Sequence, residues 1–186
     1  MYVMQTERRT SLKNSDYRSS LYARVAFLSL LIAAVDQISK YFALNNVGNQ
    51  SISVIGNFLK FHIVRNTGSA FGQFSTLAAA LSAFAIAFLF LTVYLLTRLD
   101  VSAMNASQTK ANNFKWGYIA GFVLGGLMGN LCDRIFRYPQ KLQGSVVDWI
   151  ELPHWPIFNL ADVAIVIAAL LALFFTRRGI DPKIVR

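Results

Sequence analysis

Four long apolar segments, separated by polar stretches, dominate the pattern of the chain. The clearest covers residues 77–96, which contain no charged side chain, and the others cover residues 21–42, 116–132 and 157–175. A helix rises about 1.5 Å per residue, so about 20 apolar residues cross a bilayer core of about 30 Å. The pattern predicts an all-α membrane protein, a bundle of four transmembrane helices.

A different pattern follows the first apolar segment. Apolar and polar residues alternate around residues 52–54 and 58–64, and the Gly-Asn pair at 56–57 between them is a turn sequence. Alternation with a period of two is typical of a half-buried strand. This loop therefore predicts a small extracytoplasmic β-hairpin on the outer membrane surface. Residues 66–68 are expected to form a turn after it that can present backbone and amide groups to an extended peptide.

The first apolar segment has a basic leader, as a cleaved signal peptide has. It ends in Asp-Gln-Ile-Ser-Lys, and no small-x-small cleavage site lies nearby. We therefore expect it to remain in the protein as the first span. The predicted organisation is a disordered cytoplasmic tail over 1–20, a four-helix membrane domain over 21–176 and a basic cytoplasmic tail over 177–186.

Composition and charge agree with a membrane protein. Hydrophobic residues make up 55% of the chain, above the roughly 45–50% that is typical of soluble proteins. A net charge of +9 would suggest nucleic acid as a partner in a soluble protein, but here the basic residues lie at the ends of apolar segments. No nucleic-acid partner is expected. Twelve basic residues fall on the side that both termini share and six on the other, so the positive-inside rule places both termini in the cytoplasm.

Acidic residues collect at one face of the membrane. In this topology five of the nine lie at the outer face, namely Asp36, Asp133, Asp148, Glu151 and Asp162. A carboxylate within a span costs about 2.5–3.5 kcal/mol on insertion scales, which makes a functional role the default interpretation. For Asp36, pairing with Lys40 one helical turn later is an equally good explanation.

Two Asn-x-x-Asp pairs, Asn130 with Asp133 and Asn159 with Asp162, occupy similar depths in the third and fourth segments. Residues three apart share a helix face, so we expect the two pairs to face one another. Two carboxyl groups a few ångströms apart share a proton. One can then activate a water while the other, protonated, binds the carbonyl under attack, as in aspartic proteases.

Other catalytic chemistries have weaker support. The two histidines, His62 and His154, fall in predicted loops, and no set of residues has the spacing of a metal site. Cys132 sits in an apolar run, where a thiol usually serves packing. No serine or cysteine is accompanied by a convincing base. We therefore expect no metal and no cofactor.

Five short motifs follow one another along the chain. They are Asp36-Gln37-x-Ser39-Lys40, Asn66-x-Gly68-x-Ala70-Phe71, Gly125-Gly126-x-x-Gly129-Asn130-x-x-Asp133-Arg134, Val146-Val147-Asp148 and Phe158-Asn159-x-Ala161-Asp162. Each is weak alone, but in this order and at these places in the topology they are highly specific. On these motifs the chain resembles bacterial lipoprotein signal peptidase, also called signal peptidase II. The resemblance runs from about residue 24 to residue 175 and covers all four predicted spans.

The resemblance implies an aspartic endopeptidase of the bacterial inner membrane. Such an enzyme removes the signal peptide from prolipoproteins, cutting just before a cysteine that already carries a diacylglyceryl group. The resemblance places the catalytic aspartates at Asp148 and Asp162 and gives Asp133 a supporting role. It implies that the substrate site is lined by Asn66, Gly68, Asn130, Arg134 and Asn159. Asp36 and Lys40 are expected to stabilise the bundle.

Two other functions remain open at this point. A small dimeric transporter could use intramembrane carboxylates as a proton relay, although transporter sites usually lie near the midplane between internal repeats. A structural scaffold would not need two facing Asn-x-x-Asp pairs. For the peptidase, the expected partners are prolipoproteins with a diacylglyceryl cysteine and membrane lipid, and the chain is expected to act as a monomer.

Overall fold

The computed structural model describes residues 2–67, 74–99, 107–137 and 142–182. Four helices and three short strands follow one another in the order α1 (Tyr2–Asn46), β1 (Ile52–Ile55), β2 (Leu59–Asn66), α2 (Phe74–Thr97), α3 (Ser107–Phe136), β3 (Val146–Glu151) and α4 (Leu160–Arg177). Each helix contains a segment long and apolar enough to cross a membrane. The predicted architecture of four membrane helices with a small sheet is confirmed.

The outer surfaces of the helices are apolar. Phe27 on α1, Phe90 on α2 and Leu170 on α4 expose 69%, 66% and 61% of their surface. Large apolar patches of this kind are unfavourable in water but match the hydrocarbon of a bilayer. The exposed residues therefore mark the lipid-facing side of the bundle.

Helix α3 occupies the centre of the bundle, because it packs against each of the other three helices. Glycines make the close approach possible. A Cβ on Gly125 would lie 2.7 Å from Cβ of Ile32 in α1, and one on Gly126 would lie 2.6 Å from the carbonyl oxygen of Ala161 in α4. The small-residue stripe to which Gly121 and Gly125 belong therefore contacts α1, whereas Gly126, one position off that stripe, contacts α4.

Gly126→Ala is expected to lower the melting temperature of the purified protein clearly more than Gly117→Ala does. The added methyl group at position 126 meets backbone, which cannot move without separating α3 from α4. At position 117 it meets the end of the Leu21 side chain at 2.6 Å, which can rotate away. Thermal unfolding of both variants in the same detergent tests this, and equal melting temperatures would contradict it.

The three strands form one antiparallel sheet in the order β1-β2-β3. The predicted hairpin is confirmed, with Gly56 at φ +48° in the turn, a conformation that glycine adopts easily. Strand β3 was not predicted. It pairs with β2 so that Val64 lies opposite Asp148, which makes the carboxylate of β3 part of the sheet.

Helix α1 starts earlier than the sequence indicated. Residues 2–20 were predicted to be a disordered tail, yet the helix begins at Tyr2. Residues 2–46 contain no proline or glycine, and extending an existing helix adds a hydrogen bond per residue without a new nucleation step. Tyr17 and Leu21, near the predicted start of the span, are buried against α3 and its neighbours.

Candidate active site

Four separate elements supply the polar residues of one cavity. Strand β3 carries Asp148, α4 carries Asp162 in its first turn, α3 carries Asn130, and the end of β2 carries Asn66. The cavity has a volume of about 190 Å³, and its lining consists of Asn66, Leu81, Ala85, Leu127, Asn130, Arg134, Val146, Asp148 and Asp162. The two aspartates therefore face the same small space, although fourteen positions separate them in the sequence.

Asp148 is held by two amide side chains. Asn66 Nδ2 donates to its Oδ2 at 3.0 Å, and Asn159 Nδ2 donates to its Oδ1 at 2.6 Å. The residue is 3% exposed. Because both carboxylate oxygens accept a fixed hydrogen bond, the side chain is held in one orientation toward the cavity.

Asp162 is positioned by the start of α4. Asn159 caps the helix: its side chain accepts from the backbone N–H of Asp162 at 3.0 Å, while Asp162 Oδ2 accepts from the backbone N–H of Asn159 at 3.2 Å. This reciprocal capping box starts the helix at Leu160, three residues later than the sequence predicted. The other oxygen, Oδ1, accepts from Asn130 Nδ2 at 2.8 Å.

Asn159 links the two aspartates. Its side-chain nitrogen donates to Asp148 Oδ1 and, at 3.0 Å, to Asn130 Oδ1, while its oxygen caps Asp162. The residue is fully buried. A single amide therefore fixes the relative placement of both carboxyl groups, and moving it would disturb both.

Burial raises the pKa of Asp148 from its ordinary value to about 6. Loss of hydration is the largest cause, and the negative charge of Asp162 adds to it. The hydrogen bonds from Asn66 and Asn159 and the positive charge of Lys40 oppose the rise but do not cancel it. With this pKa, Asp148 binds a proton more readily near neutral pH than an ordinary aspartate does.

A second group of charged residues lies next to the cavity. We call it the charge cluster, and it consists of Asp36, Lys40, Asp133 and Arg137. Lys40 Nζ lies 2.7 Å from Asp36 Oδ2 and 2.9 Å from Asp133 Oδ2, and all three side chains are fully buried. Arg137 Nε lies 2.6 Å from Asp133 Oδ1. Two positive and two negative charges balance, as buried ions must.

The charge cluster ties the helices to the site. Asp36 of α1 accepts from the backbone N–H of Ala161 in α4 at 2.9 Å, and Asp133 of α3 accepts from that of Val147 in β3 at 3.1 Å. Ala161 and Val147 immediately precede Asp162 and Asp148 in the sequence. Each supporting carboxylate therefore fixes the backbone beside one aspartate of the cavity.

Arg134 lies at the cavity wall and is 7% exposed. Its Nη1 is 3.4 Å from the carbonyl oxygen of Gly144, and the backbone N–H of Gly144 donates to the carbonyl oxygen of Arg134 at 3.0 Å. Arg134 thus connects the end of α3 to the segment that leads into β3. Its positive charge acts on Asp148 across the cavity.

Most residues singled out from the sequence come together here. Those at the cavity or bonded to its aspartates are Asn66, Asn130, Arg134, Asp148, Asn159 and Asp162. Asp36, Lys40 and Asp133 form the charge cluster next to it, and Gly68 lies outside the described residues. Asp133 does not face Asp162 as its spacing suggested, because it points toward Lys40 and β3 instead of into the cavity.

Two residues that bond to the charge cluster were not predicted as site residues. Arg137 neutralises Asp133, and the only sequence signal for it is their i, i+4 spacing. Gln37 donates from Nε2 to the Gly129 carbonyl oxygen at 2.9 Å and to Asp133 Oδ1 at 3.2 Å. Among the described residues, no three histidine, cysteine or carboxylate side chains form a group that could hold a metal ion.

The arrangement suits acid–base chemistry on a peptide bond. One carboxyl group, Asp148, is buried and holds a proton readily, while the other, Asp162, is half-buried and lies at the positive end of a helix dipole. A pair with opposed environments can divide the roles of acid and base.

Known proteins resemble the chain over most of its length. A family model described as signal peptidase (SPase) II matches residues 28–177. A lipoprotein signal peptidase of Streptomyces coelicolor is 37% identical over 72% of this chain; the match covers 60% of that protein, less than two thirds of its length. One of Leifsonia xyli is 35% identical, over 84% of this chain and 68% of that protein.

Solved structures agree with the fold. A bacterial membrane enzyme determined by the in meso method has a TM-score of 0.65 and 25% sequence identity, and the match covers 83% of this chain and 92% of the other. A second such enzyme has a TM-score of 0.60 and 24% identity over 88% and 95%. Both matches cover most of this chain and almost all of the other.

Proposed function

Because the chain belongs to the signal peptidase II family, we propose that it removes the signal peptide from bacterial prolipoproteins as an aspartyl endopeptidase. The observation that carries the proposal is the pair Asp148 and Asp162, bridged by Asn159 at the wall of one cavity. The chain is a multi-pass protein of the inner membrane. With both termini cytoplasmic, as the distribution of basic residues favours, the cavity opens at the outer leaflet.

The two aspartates divide the chemistry between them. Asp162, ionised, takes a proton from a water molecule whose oxygen attacks the scissile carbonyl carbon. Asp148, protonated, donates a hydrogen bond and then its proton to the carbonyl oxygen, so that a neutral tetrahedral diol forms. When the C–N bond breaks, Asp162 gives its proton to the departing nitrogen and Asp148 takes one back from the diol. The dyad returns to its first state.

Asn130 and Asn159 hold these groups in the geometry that the reaction needs. Asn130 donates to the base and Asn159 donates to the acid, and both amides are fixed by further bonds. Preorganised donors need no reorientation during the reaction, which is their main contribution to rate. Arg134 bonds to Gly144, in the segment that leads into β3, and lines the cavity.

The substrate is a signal peptide joined to a cysteine that carries a diacylglyceryl group, and the cut falls just before that cysteine. Family membership supports this choice, and the position of the site agrees with it. The cavity combines the polar dyad with Leu81, Ala85 and Leu127 from two membrane helices. A lipid-modified peptide at the outer leaflet needs both kinds of surface. The enzyme is proposed to act as a monomer on substrates that reach it through the membrane.

A gel-shift assay tests the function directly. Purified protein in detergent is incubated with a prolipoprotein that carries the diacylglyceryl group and, separately, with the unlipidated form. We expect loss of the signal peptide from the lipidated form alone, with mass spectrometry placing the new N-terminus at the cysteine. If the folded protein cleaves neither form, the proposal is wrong and proton-coupled transport by the same carboxylates becomes the function to test.

The rate of cleavage should fall as pH rises through the pKa of Asp148. The acid must be protonated, and burial raises its pKa to about 6, so kcat/KM is expected to decline above about pH 6. Asn66→Ala removes a hydrogen bond that favours the ionised form. The variant should therefore move this decline to higher pH. Profiles of kcat/KM against pH for both proteins check the direction, and a shift to lower pH would contradict the assignment of Asp148 as the acid.

A further inference from the structure

Lys40 makes one contact that charge balance does not require. Its buried ammonium group donates to Asp36 and Asp133 in the charge cluster, and its third donor reaches Asn130 Oδ1 at 3.0 Å. An ammonium group has three donors and no acceptor. All three N–H donors of Lys40 are therefore used. The third one contacts Asn130, which is at the cavity and not in the charge cluster.

Lys40 and Asn159 together determine which way the Asn130 amide points. An ammonium group can face only the amide oxygen, and Asn159 Nδ2 donates to the same oxygen at 3.0 Å. The amide nitrogen must then point the other way, where it donates to Asp162 Oδ1 at 2.8 Å. A rotated amide would place its oxygen against that carboxylate and remove the donor.

We propose that Lys40 is a positioning residue for catalysis: through Asn130 it keeps a hydrogen-bond donor on Asp162 Oδ1 and so holds that carboxyl group in the orientation in which it acts on the water. This proposal rests on the proposed function. It gives Lys40 a role in catalysis besides its structural role in the charge cluster. Lys40 touches neither substrate nor reacting atoms. Its effect passes along one chain of contacts, from the ammonium group to the amide and from the amide to the carboxylate.

Lys40→Met and Arg137→Met form a matched pair for testing this role. Each variant removes one positive charge that contacts Asp133, but only Lys40 contacts Asn130. We expect Lys40→Met to lower kcat by roughly tenfold to a hundredfold, the range seen when a residue that orients a functional group is removed, with KM changed less than about twofold. Arg137→Met is expected to lose thermal stability while kcat stays within about twofold of wild type.

A charge-balanced variant provides the test if Lys40→Met does not fold. Asp36→Asn combined with Lys40→Met removes one charge of each sign, leaving Asp133 with Arg137, and should fold while showing the same loss of kcat. The wild-type reaction in the same assay tests the proposed function separately. If wild type cleaves and the balanced variant, folded by its melting curve, has wild-type kcat, Lys40 has no positioning role.

A double-mutant cycle shows whether Lys40 acts through Asn130. In the Asn130→Ala background, measured under single-turnover conditions, Lys40→Met should change the cleavage rate by less than about twofold, because the link is already broken. A further loss as large as the one in wild type would overturn the proposal. It would mean that the charge of Lys40 acts on the dyad without the amide, or that its removal damages the bundle.

Discussion

Asp162→Asn and Asp148→Asn are each expected to lower the rate of signal-peptide cleavage by about a thousandfold or more. An amide in place of Asp162 cannot take the proton from water, and one in place of Asp148 cannot give a proton to the carbonyl oxygen. The substitutions keep the size of the side chain. Asn at either position can also retain part of the hydrogen bonding to Asn130 or Asn159.

The measurement is single-turnover cleavage of the lipidated prolipoprotein, accompanied by a melting curve for each variant. Asp16→Asn is the matched control, because Asp16 is exposed on α1, far along the chain from the cavity. It should cleave at the wild-type rate. Substantial residual activity in a folded Asp148 or Asp162 variant would exclude that residue from the dyad.

Asp133→Asn is expected to lower the free energy of unfolding by about 3–5 kcal/mol, the range for breaking a buried ion pair from one side. Lys40 and Arg137 would keep their positive charges with only Asp36 to balance them. The carboxylate that accepts from the backbone N–H of Val147 would be replaced by a neutral group. Both consequences weaken the attachment of β3 to the helices.

Glu151→Gln is the control for this prediction. Glu151 also pairs with a basic side chain, His62 at 3.1 Å, but the two side chains are 31% and 44% exposed. An exposed pair of this kind contributes about 1 kcal/mol at most. Denaturation of both variants in the same detergent gives the comparison. Similar losses in the two proteins would mean that burial does not set the contribution of Asp133.

The charge cluster and the pair of cavity aspartates form one connected network. Asp36 fixes the backbone before Asp162, Asp133 fixes the backbone before Asp148, and Lys40 joins both to Asn130. Buried charges are expensive in a membrane unless they are fully paired. Here the pairing also holds the backbone beside Asp148 and Asp162 in place.

Local sequence patterns predicted much of the fold. Apolar segments of bilayer length determined the four spans, and alternation around Gly56 determined the hairpin of β1 and β2. The resemblance to signal peptidase II, carried by the five motifs, singled out Asp148 and Asp162, which the structure places at one cavity. Their catalytic roles stay a prediction until the variants are measured.

Other features depended on contacts between distant residues. Strand β3 becomes a strand because β2 supplies its hydrogen bonds, and no pattern within residues 146–151 separated it from a loop. The two Asn-x-x-Asp pairs look equivalent along the chain, yet Asp162 faces the cavity and Asp133 faces Lys40.

The physical reason is that hydropathy and turn sequence are properties of a short segment, so the chain itself determined the spans and the hairpin. The direction in which a carboxylate points depends on how its helix is rotated against its neighbours. In this bundle Gly125 lies close against α1 and Gly126 close against α4, and a side chain at either position would not fit without a shift. The spacing of the two pairs could not distinguish them, and the tertiary structure decided that Asp162 enters the cavity while Asp133 lies beside it, as the resemblance implied.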